Sequence, residues 1–348
     1  NTSLKVGPNM YIKASGMWLS DALEEEIFCK MPLNVLDDID LETTPVEQVD
    51  DTITNSAQSN LRPSIETSLH LAMPHRVVVH VHSIDMLAFA VQVNGQLELS
   101  PLLEGLAWVW IPYQRPGASL SASVLKHTRD KQVDYLLLAN HGLVVGAESV
   151  EQVNRRLKAI LTPLNRRSRH FNRTLQPIFS DDQRVFMSEH GFQSATNIET
   201  HQLALDPLSY TLAKTGVLYP DQAIFLGPEI AMVDVSDTAE NVFLSWQKRY
   251  MLEPPYLVLE NAGVILKRSA NPAVEEQLLG HAMLMGKIDF HNHNDWNVLH
   301  YHDLHMEKIS ISKHQSLLLV GCEYNKIVGF LHKVHNISFH RQLYPRFV

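Results

Sequence analysis

The sequence predicts a layered α/β or α+β fold, on three observations. Short apolar runs of strand length alternate with amphipathic stretches of helical length through about residue 165. Gly, Pro, Asn and Ser punctuate the joins between them. The composition, 45% hydrophobic and 19% charged over 348 residues, is that of a globular chain large enough for one big domain or two ordinary ones.

Residues 1–20 read as a hairpin, "MYIKASG" having strand chemistry and "VGPN" the turn signal. "SDALEEEIFCKM" reads as a short helix with Ser20 as N-cap, and 33–60 as an acidic, exposed connection with one strand at most. "RPSIETSLHLAMPH" starts a helix at Pro63 and stops it at Pro74. The valine run 77–82 is a strand, and "SIDMLAFAVQV" a helix capped by Ser83. "LEGLAWVWIPYQRPG" gives a further strand and "SLSASVLKHTRD" an amphipathic helix. "DYLLLANHGLVVGA" makes two strands about a turn at Asn140–Gly142, and "SVEQVNRRLKAILTPL" a helix. From 180 to 288, "QAIFLGPEIAMV" and "PYLVLENAGVILKR" read as strands, "DTAENVFLSWQKRYM" and "NPAVEEQLLGHAMLMGK" as helices. Residues 289–348 hold nine of the nineteen histidines without helical periodicity and read as a His-rich tail.

A net charge of −9 argues against a nucleic-acid surface, which needs a basic stripe. No run approaches the roughly 18 apolar residues of a membrane span. "NTSLKVGPNMY" lacks the basic and apolar regions of a signal peptide. Two cysteines far apart, Cys29 and Cys322, read as free thiols in a reducing compartment, so a cytoplasmic location is expected.

The chemistry concentrates in "HRVVVHVHS". In a strand, residues two apart share a face, so the Cα atoms of His80 and His82 lie roughly 6.5–7 Å apart on one side. Two imidazoles at that spacing can converge on one ion, or can simply line a polar face. His141, at a tight turn between apolar strands, adds a third imidazole, and three with a fourth position open is a catalytic zinc arrangement. Glu66, in the first turn of the helix that leads into this strand, supplies a carboxylate that can shuttle protons. His70, one helical turn on, reads as a core histidine.

These residues also carry a resemblance. "NTSLKV…YIKASG", "RPSIETSLH", "VVVHVHS", "PYQRPGASL" and "LLLANHGLVVG" occur in the order and rough spacing of the class II aldolase/adducin family, over residues 1 to about 160. The resemblance implies a three-layer α/β/α sandwich with a central, mostly antiparallel sheet. It implies a catalytic domain over 1–165, with 166–288 an α/β extension of the kind longer members carry.

Carried over by position, the resemblance implies a Zn2+ cofactor on His80, His82 and His141, with Glu66 as acid/base. The substrate-phosphate cradle falls on Asn1, Ser3, Ser15, Gly16 and Ser64. One departure stands out: Ile65 replaces a second serine; the glycine pair that precedes Asn-Thr-Ser in the family would fall before Asn1, where the sequence begins. The implied activity is a carbon–carbon lyase that cleaves a ketose phosphate or related hydroxy-ketone through a metal-stabilised enediolate. The implied partners are that small sugar substrate and further copies of the chain, a tetramer being common, with no nucleic acid and no membrane. Epimerases and dehydratases share the chemistry, and adducin keeps the fold as a non-enzymatic scaffold without the histidines.

Overall fold

The structure is a computed structural model that describes residues 1–166, 168–169, 175–288 and 299. Apart from Leu299, the His-rich stretch 289–348 lies outside the described residues. The described chain forms two compact units. The first comprises Asn1–His82 and Gln96–Leu164, the second Ser83–Gly95 and the described residues from Asn165 on.

In the first unit, β1 (Thr2–Val6) and β2 (Asn9–Lys13) make the expected antiparallel hairpin about Gly7, whose φ of 55° suits glycine. The helix expected at 20–31 is absent: Leu19–Leu23 make only a 3-10 turn, and Phe28–Pro32 form β3, antiparallel to β2. Cys29 and Met31 alternate inward to pack with Met10 and Ile12, so tertiary pairing overrides the helical propensity of Glu24–Glu26. The expected connection at 33–60 contains a helix, α1 (Val46–Ser56), which lays Val49 and Ile53 on the same cluster.

The chain continues through α2 (Thr67–Ala72), β4 (Val77–Val81), α3 (Ile84–Ala90, within the second unit) and α4 (Gly95–Leu102). It then runs through β5 (Trp108–Ile111), α5 (Ala118–Thr128), β6 (Tyr135–Leu138), β7 (Gly142–Ala147) and α6 (Val150–Leu164). Seven strands form one sheet in the order β3-β2-β1-β4-β7-β6-β5. Every neighbouring pair is antiparallel except β5 with β6. Alternation sorts its two faces. Val78, Leu136, Leu138 and Val144 share one face and pack with Leu69 and Met73 from α2 and its end, and with Leu120 and Val124 of α5. The other face takes α6, whose buried stripe Val150–Val153–Leu157–Ile160–Leu164 lies along β7 and β4. Burying each such side chain contributes about 1.5–3 kcal/mol. The result is the three-layer sandwich. His80, two residues past Val78 and paired with Val144, faces the α2 layer.

The second unit contains α7 (Asp181–Glu189), opened by a Ser180–Gln183 capping box, then β8 (Phe192–Ser194), α8 (Gln202–Leu205) and α9 (Pro207–Ala213). Next come β9 (Met232–Val233), α10 (Ala239–Tyr250), β10 (Tyr256–Leu259), β11 (Gly263–Lys267) and α11 (Pro272–Lys287). Its sheet runs β8-β11-β10-β9. "QAIFLGPEIAMV" is not one strand: Gln222–Leu226 form a short π-helix, and only Met232–Val233 join the sheet. The Gln222 side chain explains the turn, since its Oε1 accepts from Leu218 N–H and its Nε2 donates to Gly216 O. Among the described residues no helix is long and apolar enough to cross a membrane. Cys29 is a free, buried thiol, and Cys322 lies outside the described residues.

Candidate metal centre

Two pieces of local geometry deliver the three histidines. The first is β4, a strand buried along its whole length by valines on both faces. It presents His80 toward α2 with His82 just past its end, and the two rings are 1% and 9% exposed. The second is the turn between β6 and β7, where His141 N–H donates to Leu138 O at 3.2 Å. Asn140 sits third in that turn with φ 51°, the left-handed conformation that a type II turn needs there and that asparagine tolerates. His141 follows, buried, directly beside β4.

Gly142 completes the approach. A Cβ on it would fall 2.6 Å from Val81 O, 2.9 Å from His82 Cδ2 and 3.3 Å from His80 Nε2. The space that any other residue would fill is taken by the histidines.

Glu66 is the N-cap residue of α2 rather than a member of its first turn. Ser64 shapes the bend: its O accepts from Thr67 Oγ1 at 2.7 Å and its Oγ from Glu66 N–H at 3.2 Å. The carboxylate reaches the histidines, with Oε1 at 2.7 Å from His80 Nδ1 and 3.4 Å from His141 Nε2. Each imidazole centroid lies 4.8 Å from the other two, with planes inclined at 58°, 67° and 76°, so the rings converge edge-on instead of stacking. One donor atom from each of Glu66, His80, His82 and His141 lies within 4.8 Å of all the others.

Electrostatics favour a neutral His80. Burial pushes His80 down to about 3 against the opposing pull of the Glu66 carboxylate. Burial alone raises the Glu66 carboxyl, but His80 and His141 against it bring it well below the usual carboxylate range. Unprotonated imidazoles are the form that binds metal. His80 Nε2 is buried with no hydrogen-bond partner, a polar atom of the kind folded proteins leave unsatisfied only for a reason. The donor set of three imidazoles and one carboxylate fits a metal ion.

The remaining predicted site residues divide. Asn1 and Ser64 join the cluster: Asn1 Nδ2 donates to Ser64 Oγ at 2.5 Å and to Glu66 Oε2 at 3.4 Å. Ser15 is held beside that segment, its N–H donating to Arg62 O at 2.9 Å, and Gly16 turns the chain at φ 76°. Ser3 is not brought in; it is buried, with Oγ 2.8 Å from His70 Nδ1. His70 is the buried core histidine expected, and burial holds its pKa well below the ordinary value.

Sequence reasoning missed Lys13. Its Nζ donates to Ala14 O at 2.8 Å and Met17 O at 2.9 Å, bracketing the Ser15–Gly16 turn. Desolvation lowers its pKa, partly countered by the Glu66 carboxylate. A lysine inside "YIKASG", at the end of a strand and beside a Ser-Gly turn, was the available signal.

Comparison with known proteins bears on the first unit. Residues 1–161 match the family model of the Class II Aldolase and Adducin N-terminal domain. An uncharacterized oxidoreductase, YuxG of Bacillus subtilis (strain 168), is 34% identical over 91 residues, 26% of this chain, and the chain spans 13% of that protein's length. Among solved structures, the N-terminal class II aldolase domain of a conserved protein from Thermoplasma acidophilum is 22% identical. That match covers 47% of this chain and 80% of the other, at a TM-score of 0.42. An L-fuculose 1-phosphate aldolase is 15% identical, with 54% and 83% covered and a TM-score of 0.33. Residues 1–161, the Glu66–His80–His82–His141 cluster among them, are the part of the chain that matches the class II aldolase and adducin N-terminal domain family.

Proposed function

We propose that the first unit is a zinc-dependent aldehyde-lyase that cleaves a ketose phosphate or a related hydroxy-ketone by a retro-aldol reaction. The observation that carries this reading is the buried triangle of imidazoles with a carboxylate against it. A scaffold protein has no need to bury three histidines together, since each unprotonated ring forfeits hydration.

His80, His82 and His141 would hold the ion, which supplies Lewis-acid polarisation of a carbonyl oxygen and stabilises the negative charge that develops as a C–C bond breaks. Glu66 moves a proton to and from the reacting carbon. Its place at the edge of the cluster, 12% exposed, gives it contact both with the histidines and with an entering substrate. Asn1 Nδ2 orients the carboxylate, and Asn1, Ser64, Ser15 and Gly16 form the cradle for the substrate's anionic end. Ile65, 53% exposed between Ser64 and Glu66, gives that cradle one apolar wall. We read the second unit as an α/β extension of the sort that longer relatives carry.

The test is aldehyde release from a panel of ketose phosphates by the zinc-loaded full chain and by Glu66→Gln. The proposal expects at least one substrate turned over by the wild type, with Glu66→Gln slower by about 10²–10⁴-fold. Epimerised or dehydrated product in place of aldehyde would keep the metal chemistry and overturn the lyase assignment. Equal rates in both proteins would remove Glu66 from the mechanism.

A further inference from the structure

We infer that the buried hydrogen bond between Ser3 and His70 is a positioning contact that sets where Glu66 stands against the three histidines. The inference rests on the metal-centre reading above. It begins from the length of α2, six residues, which is too short to hold its own geometry through backbone hydrogen bonds. Glu66, at its N-cap, therefore depends on how the helix is fastened to its surroundings.

Among the described residues, side-chain hydrogen bonds fasten it at several points. Thr67 Oγ1 donates to Ser64 O at 2.7 Å, a bond local to the bend. Ser121 Oγ donates to Ser68 Oγ at 2.8 Å, joining α2 to α5 within the helical layer. His70 Nδ1 to Ser3 Oγ at 2.8 Å ties the body of the helix to β1, as the bond from Lys5 Nζ to Met73 O ties its C-cap.

The place of Ser3 in the sheet matters. Ser3 pairs with Val78 in the β1–β4 ladder, two residues before His80. Asn1 O accepts from His80 N–H at 2.9 Å at the end of the same ladder. His70 is in turn one helical turn past Glu66, its N–H donating to Glu66 O at 3.1 Å. Beside the direct contact of Glu66 Oε1 with His80 Nδ1, a second path thus runs from the Glu66 main chain through His70, Ser3, β1 and β4 to His80. Ser3 and His70 are 2% and 0% exposed, so water does not compete for the bond between them. Both residues act through Glu66 and neither is catalytic. Ser3, expected as an anion ligand, takes this role instead.

The test uses the full chain loaded with Co2+, whose visible absorption reports the donor set and geometry without any substrate. Ser3→Ala and His70→Leu should each alter the visible band and weaken Co2+ binding by about 10–100-fold, the usual range when an outer-shell support is lost. His70→Asn, which keeps a hydrogen-bonding group near the Nδ1 position, should restore the wild-type spectrum. Ile53→Val, a core loss on α1, should lower the thermal midpoint and leave the spectrum alone. Wild-type spectrum and affinity in both Ser3→Ala and His70→Leu would overturn the inference while the metal centre stands. So would an equal spectral change in Ile53→Val. No Co2+ uptake by the wild-type chain would overturn the metal centre and this inference with it.

Discussion

Gly142→Ala tests the geometry of the centre without replacing a candidate ligand. The added methyl would lie 2.6 Å from Val81 O, about 0.8 Å short of the 3.4 Å at which ordinary contact begins. Val81 O is backbone, paired in the ladder opposite Leu143, so it cannot swing aside as a long side chain would. The end of β4 or the start of β7 must move by most of that distance, carrying His80 and His82 relative to His141. Overpacking of this kind costs about 1–3 kcal/mol. A shift of that size also spoils bonds of about 2.0–2.1 Å, and zinc affinity should fall by about 10–100-fold.

The assay is competition for zinc against a chromophoric chelator, with thermal unfolding measured in parallel. Gly146→Ala, in the same strand as Gly142, is the control, since its Cβ would clash with His75 Nδ1 away from the cluster. It should lose stability and keep its zinc affinity. Wild-type zinc affinity in Gly142→Ala would refute the packing argument and with it the close convergence of the three rings.

Further expectations concern charge, loading and stability. Glu66→Gln should keep metal stoichiometry near that of the wild type, as seen by metal analysis, while turnover collapses; loss of metal would make Glu66 a ligand. Saturating zinc should raise the thermal midpoint, by about 4 kcal/mol of stabilisation at 1,000 times the dissociation constant, and a chelator should reverse it. An unchanged midpoint with zinc would contradict binding to the folded state. His281, in α11, is fully buried with Tyr219 Oη 3.2 Å from its Nδ1, and desolvation pushes its pKa down to about 3. The unfolded chain then binds a proton that the folded one refuses. Stability that this neutral ring allows is full above about pH 6.5 and is lost as pH falls toward 3, at up to about 1.4 kcal/mol per unit. His281→Leu should flatten the acid side of a urea-midpoint profile between those limits; an unchanged slope would mean the ring is protonated in the folded chain.

The parts of the fold legible in the sequence were those where local pattern and tertiary environment agree. The valine run ending in His80-Val-His82 could only be a buried strand, and Asn140-His141-Gly142 between two apolar runs could only be a tight turn. Phe28–Pro32 was misread because "EEEIFCKM" mixes helix formers with an alternation only four residues long, and β2 decides the outcome by pairing with it. "QAIFL" gave no periodicity to separate strand from helix, and the deciding contacts come from the Gln222 amide, whose reach no pattern encodes. At the site, spacing put His80 and His82 on one side of a strand, while turn and helix context together with the family resemblance added His141 and Glu66; the four donor atoms lie within 4.8 Å of one another. Spacing could not show that Ser3 meets His70, because that depends on a tertiary contact between β1 and α2, nor that Lys13 curls back onto the Ala14–Met17 turn.

The most direct test of the central claim is elemental analysis of the purified chain beside its His80→Ala and His141→Ala variants. The account predicts about one zinc per wild-type chain, by the three-imidazole site, and loss of it in both variants. A wild-type chain that carries no metal and takes up none when zinc is added would contradict it.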